Sequence, residues 1–112
     1  MANLTLREVC ILTGVSRRAI QGYEKAGLVH SKERNERGHL LYDNEAKEKI
    51  ELIKLFQQLG FSIKEIQLLI ESPKHDLKSM IENRIMKLNE RKAEIDRLIE
   101  KAYQIIGQCN GI

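Results

Sequence analysis

The chain has no tryptophan, three tyrosines and two phenylalanines among its 112 residues, so its core has to be aliphatic and modest. Its two cysteines, Cys10 and Cys109, lie near opposite ends without CxxC spacing, which excludes a disulfide framework. Cys10 falls among Leu6, Val9, Leu12 and Thr13 and is expected as a small buried hydrophobe. No apolar run approaches the ~20 residues that span a bilayer, and no charged start leads into a signal-peptide core. A cytoplasmic chain with no membrane contact is expected. Serine, histidine and carboxylates form no nucleophile arrangement, and no glycine loop is followed by Lys-Ser or Lys-Thr. Neither an enzyme nor a cofactor is expected. Charge of one sign is scarce too, at a net +3.

What is present is a tight helical unit near the start. Thr5 and Glu8 stand at capping-box spacing before the short amphipathic segment Leu6 to Leu12. Gly14 supplies the positive φ of a sharp turn, and Ser16 is a good N-cap for a second helix. That helix carries Arg17, Arg18, Gln21, Tyr23 and Lys25. Two short helices across a glycine turn, the second basic at its start, read as a helix-turn-helix. Between Arg17 and Arg37 six basic residues outnumber three acids, so this segment alone matches the net charge of the whole chain. Such a face can neutralise phosphates.

Downstream, Leu28–Ser31 and His39–Tyr42 read as two short strands around a basic loop from Lys32 to Gly38, a β-hairpin wing. Its apolar side, with Leu28, Leu41 and Tyr42, completes the core. Asp43 or Asn44 caps a third helix to about Leu59, with Ala46, Ile50, Ile53, Phe56 and Leu59 at helical spacing and Leu52 and Leu55 widening the stripe. Ser62 and Glu65 form a second capping box. It opens a fourth helix with an apolar face of Ile63, Ile66, Leu69 and Ile70, stopped at Ser72-Pro73. From about Asp76 to Ile106 one long helix repeats Ile81, Ile85, Leu88, Lys92, Ile95, Ile99, Ala102 and Ile106 in a 4-3 alternation. With no helix left in the chain to cover that seam, a homodimer is expected.

Thr13-Gly14-Val15-Ser16 followed by Tyr23-Glu24, Gly27-Leu28, Gly38-His39-Leu40-Leu41-Tyr42 and Leu59-Gly60-Phe61-Ser62-Ile63-Lys64-Glu65-Ile66 resembles the MerR family of bacterial transcription regulators. The likeness runs over about the first 106 residues. It implies a mainly α fold: a winged helix-turn-helix domain with two supporting helices over residues 1–75, a dimerisation helix over 76–107 and a short tail over 108–112. It further implies an antiparallel coiled coil and a palindromic promoter site in double-stranded DNA. That site is bent and untwisted so that RNA polymerase engages it. Ser16, Arg17, Arg18, Gln21, Tyr23 and Lys25 are the expected contacts on the recognition helix, and Arg34, Arg37 and His39 those on the wing.

Three positions depart from the family pattern. Gln21 and Gly22 stand where relatives usually carry arginine and tyrosine, and Leu40 replaces a wing arginine. The sequence also ends where relatives often continue into an effector domain, so no sizeable ligand pocket of the usual kind is expected. Cys109 with His75, brought together across an antiparallel dimer, is the one candidate for metal. Two other functions compete: an architectural or recombination-directing DNA binder, and a coiled-coil interaction module that has lost DNA binding.

Overall fold

A computed structural model describes residues 3–110. The elements are β1 (Leu4–Thr5), α1 (Leu6–Thr13), α2 (Arg17–Lys25), β2 (Glu33–Arg34), β3 (Leu40–Tyr42), α3 (Asn44–Gln58), α4 (Ile63–Glu71) and α5 (Lys74–Asn110). They fall into two compact units, one running to Glu71 and one beginning at Ser72.

Both capping boxes form. The Thr5 hydroxyl accepts from the Glu8 amide at 3.2 Å while the Thr5 amide donates to the Glu8 carboxylate at 3.0 Å. Ser62 and Glu65 exchange the same pair at 3.0 and 3.1 Å. Ser16 and Asp43 cap α2 and α3 through the amides of Ala19 and Ala46. Gly14 ends α1 at φ 71°, where a β-carbon would be strained and would also press Lys54 Nζ at 3.1 Å. The ends of α2 and α3 share one design. Gly27 and Leu28 donate to the carbonyls of Glu24 and Tyr23, and Gly60 and Phe61 to those of Gln57 and Phe56. These are Schellman motifs, which a hydrophobic contact frequently accompanies. At the end of α3 that partner contact is an edge-to-face pair, Phe56 on Phe61, with centroids 6.0 Å apart.

The core of the first unit is aliphatic, as the shortage of aromatics requires. Val9, Ile20, Val29, Ile50, Ile53, Ile66 and Leu69 are essentially inaccessible, with Tyr42 beside them. Tyr42 donates its hydroxyl to Glu24, and burial together with the Glu24 carboxylate holds its pKa far above that of an ordinary phenol.

The structure corrects several expectations. The wing's first strand is Glu33–Arg34, paired with Leu41 and Leu40, not Leu28–Ser31. Leu28 and Val29 are drawn into the core after the α2 cap, so the ladder starts only where the chain emerges. A third strand was not anticipated: Leu4 and Thr5 pair with Tyr42 and Leu41, giving the sheet order β1-β3-β2. Two residues carry too little pattern to reveal a strand. Leu12, Leu52, Leu55 and Ile70 were expected to face the core but are exposed. The buried face of each short helix is narrower than its apolar stripe. Cys10 is half-buried, at the edge of the core. The last helix is longer than expected at both ends. The Pro73 carbonyl accepts from Asp76 and Leu77, starting the helix at Lys74.

Side chains of the supporting helices clamp the helix-turn-helix. Lys54 on α3 donates to the Thr13 carbonyl at 3.1 Å, putting a cation at the C-terminus of α1. Tyr23 donates to Gln57 on α3 at 2.6 Å, and Gln67 on α4 donates to the Ala26 carbonyl at 2.7 Å. Replacing Lys54 with Met keeps the stem but strips the Thr13 carbonyl of its partner. Urea melts should then show a loss of about 1–2 kcal/mol.

Glu8 gives a pH test. Hydrogen bonds from the Thr5 amide and hydroxyl pull its pKa below the ordinary 4.5. A depressed carboxylate contributes stability above its unfolded pKa and loses it as pH falls through the folded value. Glu8→Gln should therefore lower the melting temperature at pH 7, and the gap from the parent should close below pH 4.5.

Candidate nucleic-acid interface

Helix α2 has two clearly separated faces. Ile20 and Tyr23 point into the core, with Ala19, Glu24 and Ala26 at its margin. Arg18, Gln21, Gly22 and Lys25 recur at i, i+3, i+4 and i+7, which places them on one outward stripe, and Arg17 flanks it. All five are exposed. Arg17, Arg18 and Lys25 form no ion pair with any described residue. The helix's one acid, Glu24, lies away from the stripe and accepts from Tyr42. The outward face is thus positive and uncompensated, a donor array suited to phosphates and base edges.

Tyr23 is placed differently from the expectation of a side chain turned toward a DNA backbone. It is 3% exposed, burial raises its pKa, and its hydroxyl is committed to Gln57. Its visible role is to seat α2. Ser16 likewise spends its side chain on capping α2.

The wing is built around Asn35. Its carbonyl accepts from the Gly38 amide, its amide donates to the His39 carbonyl, and Gly38 has φ 79°. This is the three-residue loop with a bulged glycine. The Asn35 side chain accepts from the amides of Arg37 and His39 at 3.0 and 2.9 Å, which stiffens the tip. Arg34 donates to the Gly38 carbonyl at 2.6 Å, so part of its guanidinium serves the loop. Arg37 and His39 are exposed, and Lys32 sits 3.8 Å from Asp43 at the wing's base.

The residues missed from sequence are the supports: Asn35, Lys54, Gln57 and Gln67. Asparagine in a turn was a readable signal. The other three act on partners 34 to 41 residues away, where no local pattern reaches.

The candidate metal pair finds no support within one chain. His75 and Cys109 lie at opposite ends of α5, about 50 Å apart at 1.5 Å per residue. His75 faces Asp76 at 3.1 Å. Among the described residues no three His, Cys, Asp or Glu side chains gather. No described helix is long and apolar enough to cross a membrane.

The residues from which this site is built fall within a family-wide pattern. The pattern of the MerR HTH family regulatory protein matches residues 4–72, and that described as MerR, DNA binding matches residues 47–101. Among similar proteins, the mercuric resistance operon regulatory protein of Bacillus cereus is 31% identical over 88 residues, covering 76% of this chain and 67% of that protein. Nodulation protein NolA of Bradyrhizobium diazoefficiens is 39% identical over 64 residues, 57% of this chain and 27% of that protein. The chain therefore spans about a quarter of the NolA length. Among solved structures, HiNmlR, a MerR family regulator lacking the sensor domain and bound to promoter DNA, superposes with a TM-score of 0.71 at 21% identity. That match covers 88% of this chain and 80% of HiNmlR, and it establishes the fold. With more than half its length inside one family pattern, this chain belongs to the MerR family of helix-turn-helix regulatory proteins.

Proposed function

We propose that this protein is a cytoplasmic, DNA-binding transcription regulator of the MerR type, acting as a homodimer on a palindromic promoter site. The observation that carries this reading is the uncompensated basic stripe on α2, held outward by the buried Ile20 and Tyr23 and by polar clamps from Gln57 and Gln67. Arg17 and Arg18 enter the major groove first and reach base edges or nearby phosphates. Gln21 is shaped to pair with adenine, and Lys25, Arg34, Arg37 and His39 take the flanking backbone. Tyr23 acts only by seating α2. Family membership supports a mechanism in which the bound dimer bends and untwists the duplex to suit RNA polymerase. Such deformation costs several kcal/mol, up to ~10 for stiff sequences.

The dimer reading rests on α5. It is 37 residues long, and none of them is buried in the single chain. Ile85, Leu88, Ile95, Ile99 and Ile106 are between 38% and 53% exposed. They lie on the 4-3 seam, which a second antiparallel copy covers. Lys92 fits a wet position in that seam, its stem packed and its ammonium reaching water. The proposed domain roles are those expected from the sequence, residues 1–75 for DNA and 76–107 for dimerisation, although α5 itself begins at Lys74.

The DNA test is an anisotropy titration of a duplex enriched by the chain from a random-sequence pool. Preference over a scrambled duplex by about 10³ or more and a steep salt slope are expected. The double variant Arg17→Glu, Arg18→Glu should lose that preference while melting as the parent does. Equal, weak binding to both duplexes would contradict a specific regulator and favour an architectural protein. For the dimer, Ile95→Asp with Ile99→Asp should sediment as a monomer at micromolar concentration. A dimer that survives both changes would sink the seam assignment.

A further inference from the structure

Gly22 is the residue on the recognition helix that the fold does not explain. It is exposed in the middle of α2, in ordinary right-handed backbone, so no turn requires it. A β-carbon built there meets nothing within 4 Å, so no packing requires it either. Glycine is the poorest helix former after proline, and the cost falls on a helix of only nine residues. Gly107 is the other helical glycine without a steric reason, but it lies in the last turn of α5, where fraying makes the residue cheap. By contrast, Gly14, Gly27, Gly38 and Gly60 all have positive φ and so account for themselves.

Its surroundings supply the reason. Arg18 lies one turn before Gly22 and Lys25 one turn after, on the same outward stripe, and neither cation is paired with a described acid. The helix therefore presents a gap one side chain wide between two free positive charges. A group that fills it must be anionic, slender and able to approach the helix backbone. A phosphodiester strand has all three properties, whereas a flat base edge needs a donor or acceptor that glycine lacks.

We propose that Gly22 forms a notch in which one phosphate of the bound duplex sits against the helix backbone, held between Arg18 and Lys25. This rests on the DNA-binding function proposed above and assigns the contact geometry within it. The notch sets how deeply α2 enters the groove, so it governs affinity and register through shape and contributes no side chain of its own.

The test uses the full chain and the duplex it enriches from a random-sequence pool. Gly22→Ala should raise the melting temperature by roughly 4 °C, because alanine is the better helix former. The same variant should weaken binding about tenfold and reduce the salt slope by about one ion, as expected when a phosphate is pushed off. Gln21→Ala, one residue away on the same stripe, should leave the salt slope unchanged. Gly22→Ala binding within twofold of the parent with an unaltered slope would overturn the notch. So would an equal loss of slope in Gln21→Ala, since the effect would then belong to the whole face. If the parent enriches no duplex, the DNA reading itself falls and the notch with it, a result distinct from failure of the variant alone.

Discussion

The orientation of the recognition helix depends on α3. Its apolar side supplies Ile50 and Ile53 to the innermost core, and its polar positions Lys54 and Gln57 reach the end of α1 and the hydroxyl of Tyr23. Apolar packing alone is non-directional and tolerates small rotations. Hydrogen bonds of fixed geometry between the helices do not. Gln67 adds a third constraint from α4, at the far end of α2. A helix so held keeps the same stripe outward, and pre-organisation of this kind reduces the ordering cost of the DNA binding proposed above.

The wing follows the same logic on a smaller scale. The strands of a two-residue by three-residue ladder are too short to be stiff alone. Asn35 caps two amides at the tip, Arg34 bridges the loop, and β1 adds a third strand to the other edge of β3. Here some of the basic residues spend donors on the fold itself. Among the described residues the side chains of Arg37 and His39 form no ion pair, while Arg34 and Lys32 partly serve the loop and its base.

Much of this was legible in the sequence because it is local. Thr5 with Glu8, Ser16, Asp43 and Ser62 with Glu65 announce helix starts through contacts three residues apart, and each forms as expected. The outward stripe on α2 follows from helical spacing. What escaped is non-local or faint. Strand β1 has two residues, and the wing ladder shifts because Leu28 and Val29 are claimed by the core. Tyr23 illustrates the limit best. Its place in a basic helix suggested an outward role, but at i+3 from Ile20 it shares the buried face, and only the fold shows Gln57 waiting for its hydroxyl. Exposed Leu52, Leu55 and Ile70 show the converse, since an apolar stripe can be wider than the face its own unit buries.

The central claim is that the face of α2 turned away from the core is the face that reads DNA. It is tested most directly by following backbone amide resonances while the enriched duplex is added. The largest shifts are expected on Arg17, Arg18, Gln21, Gly22 and Lys25, with a second group at Arg37 and His39. The amides of α4 should stay nearly still. Shifts centred instead on Ile11 and Leu12, or on α5 alone, would contradict it and move the binding surface elsewhere.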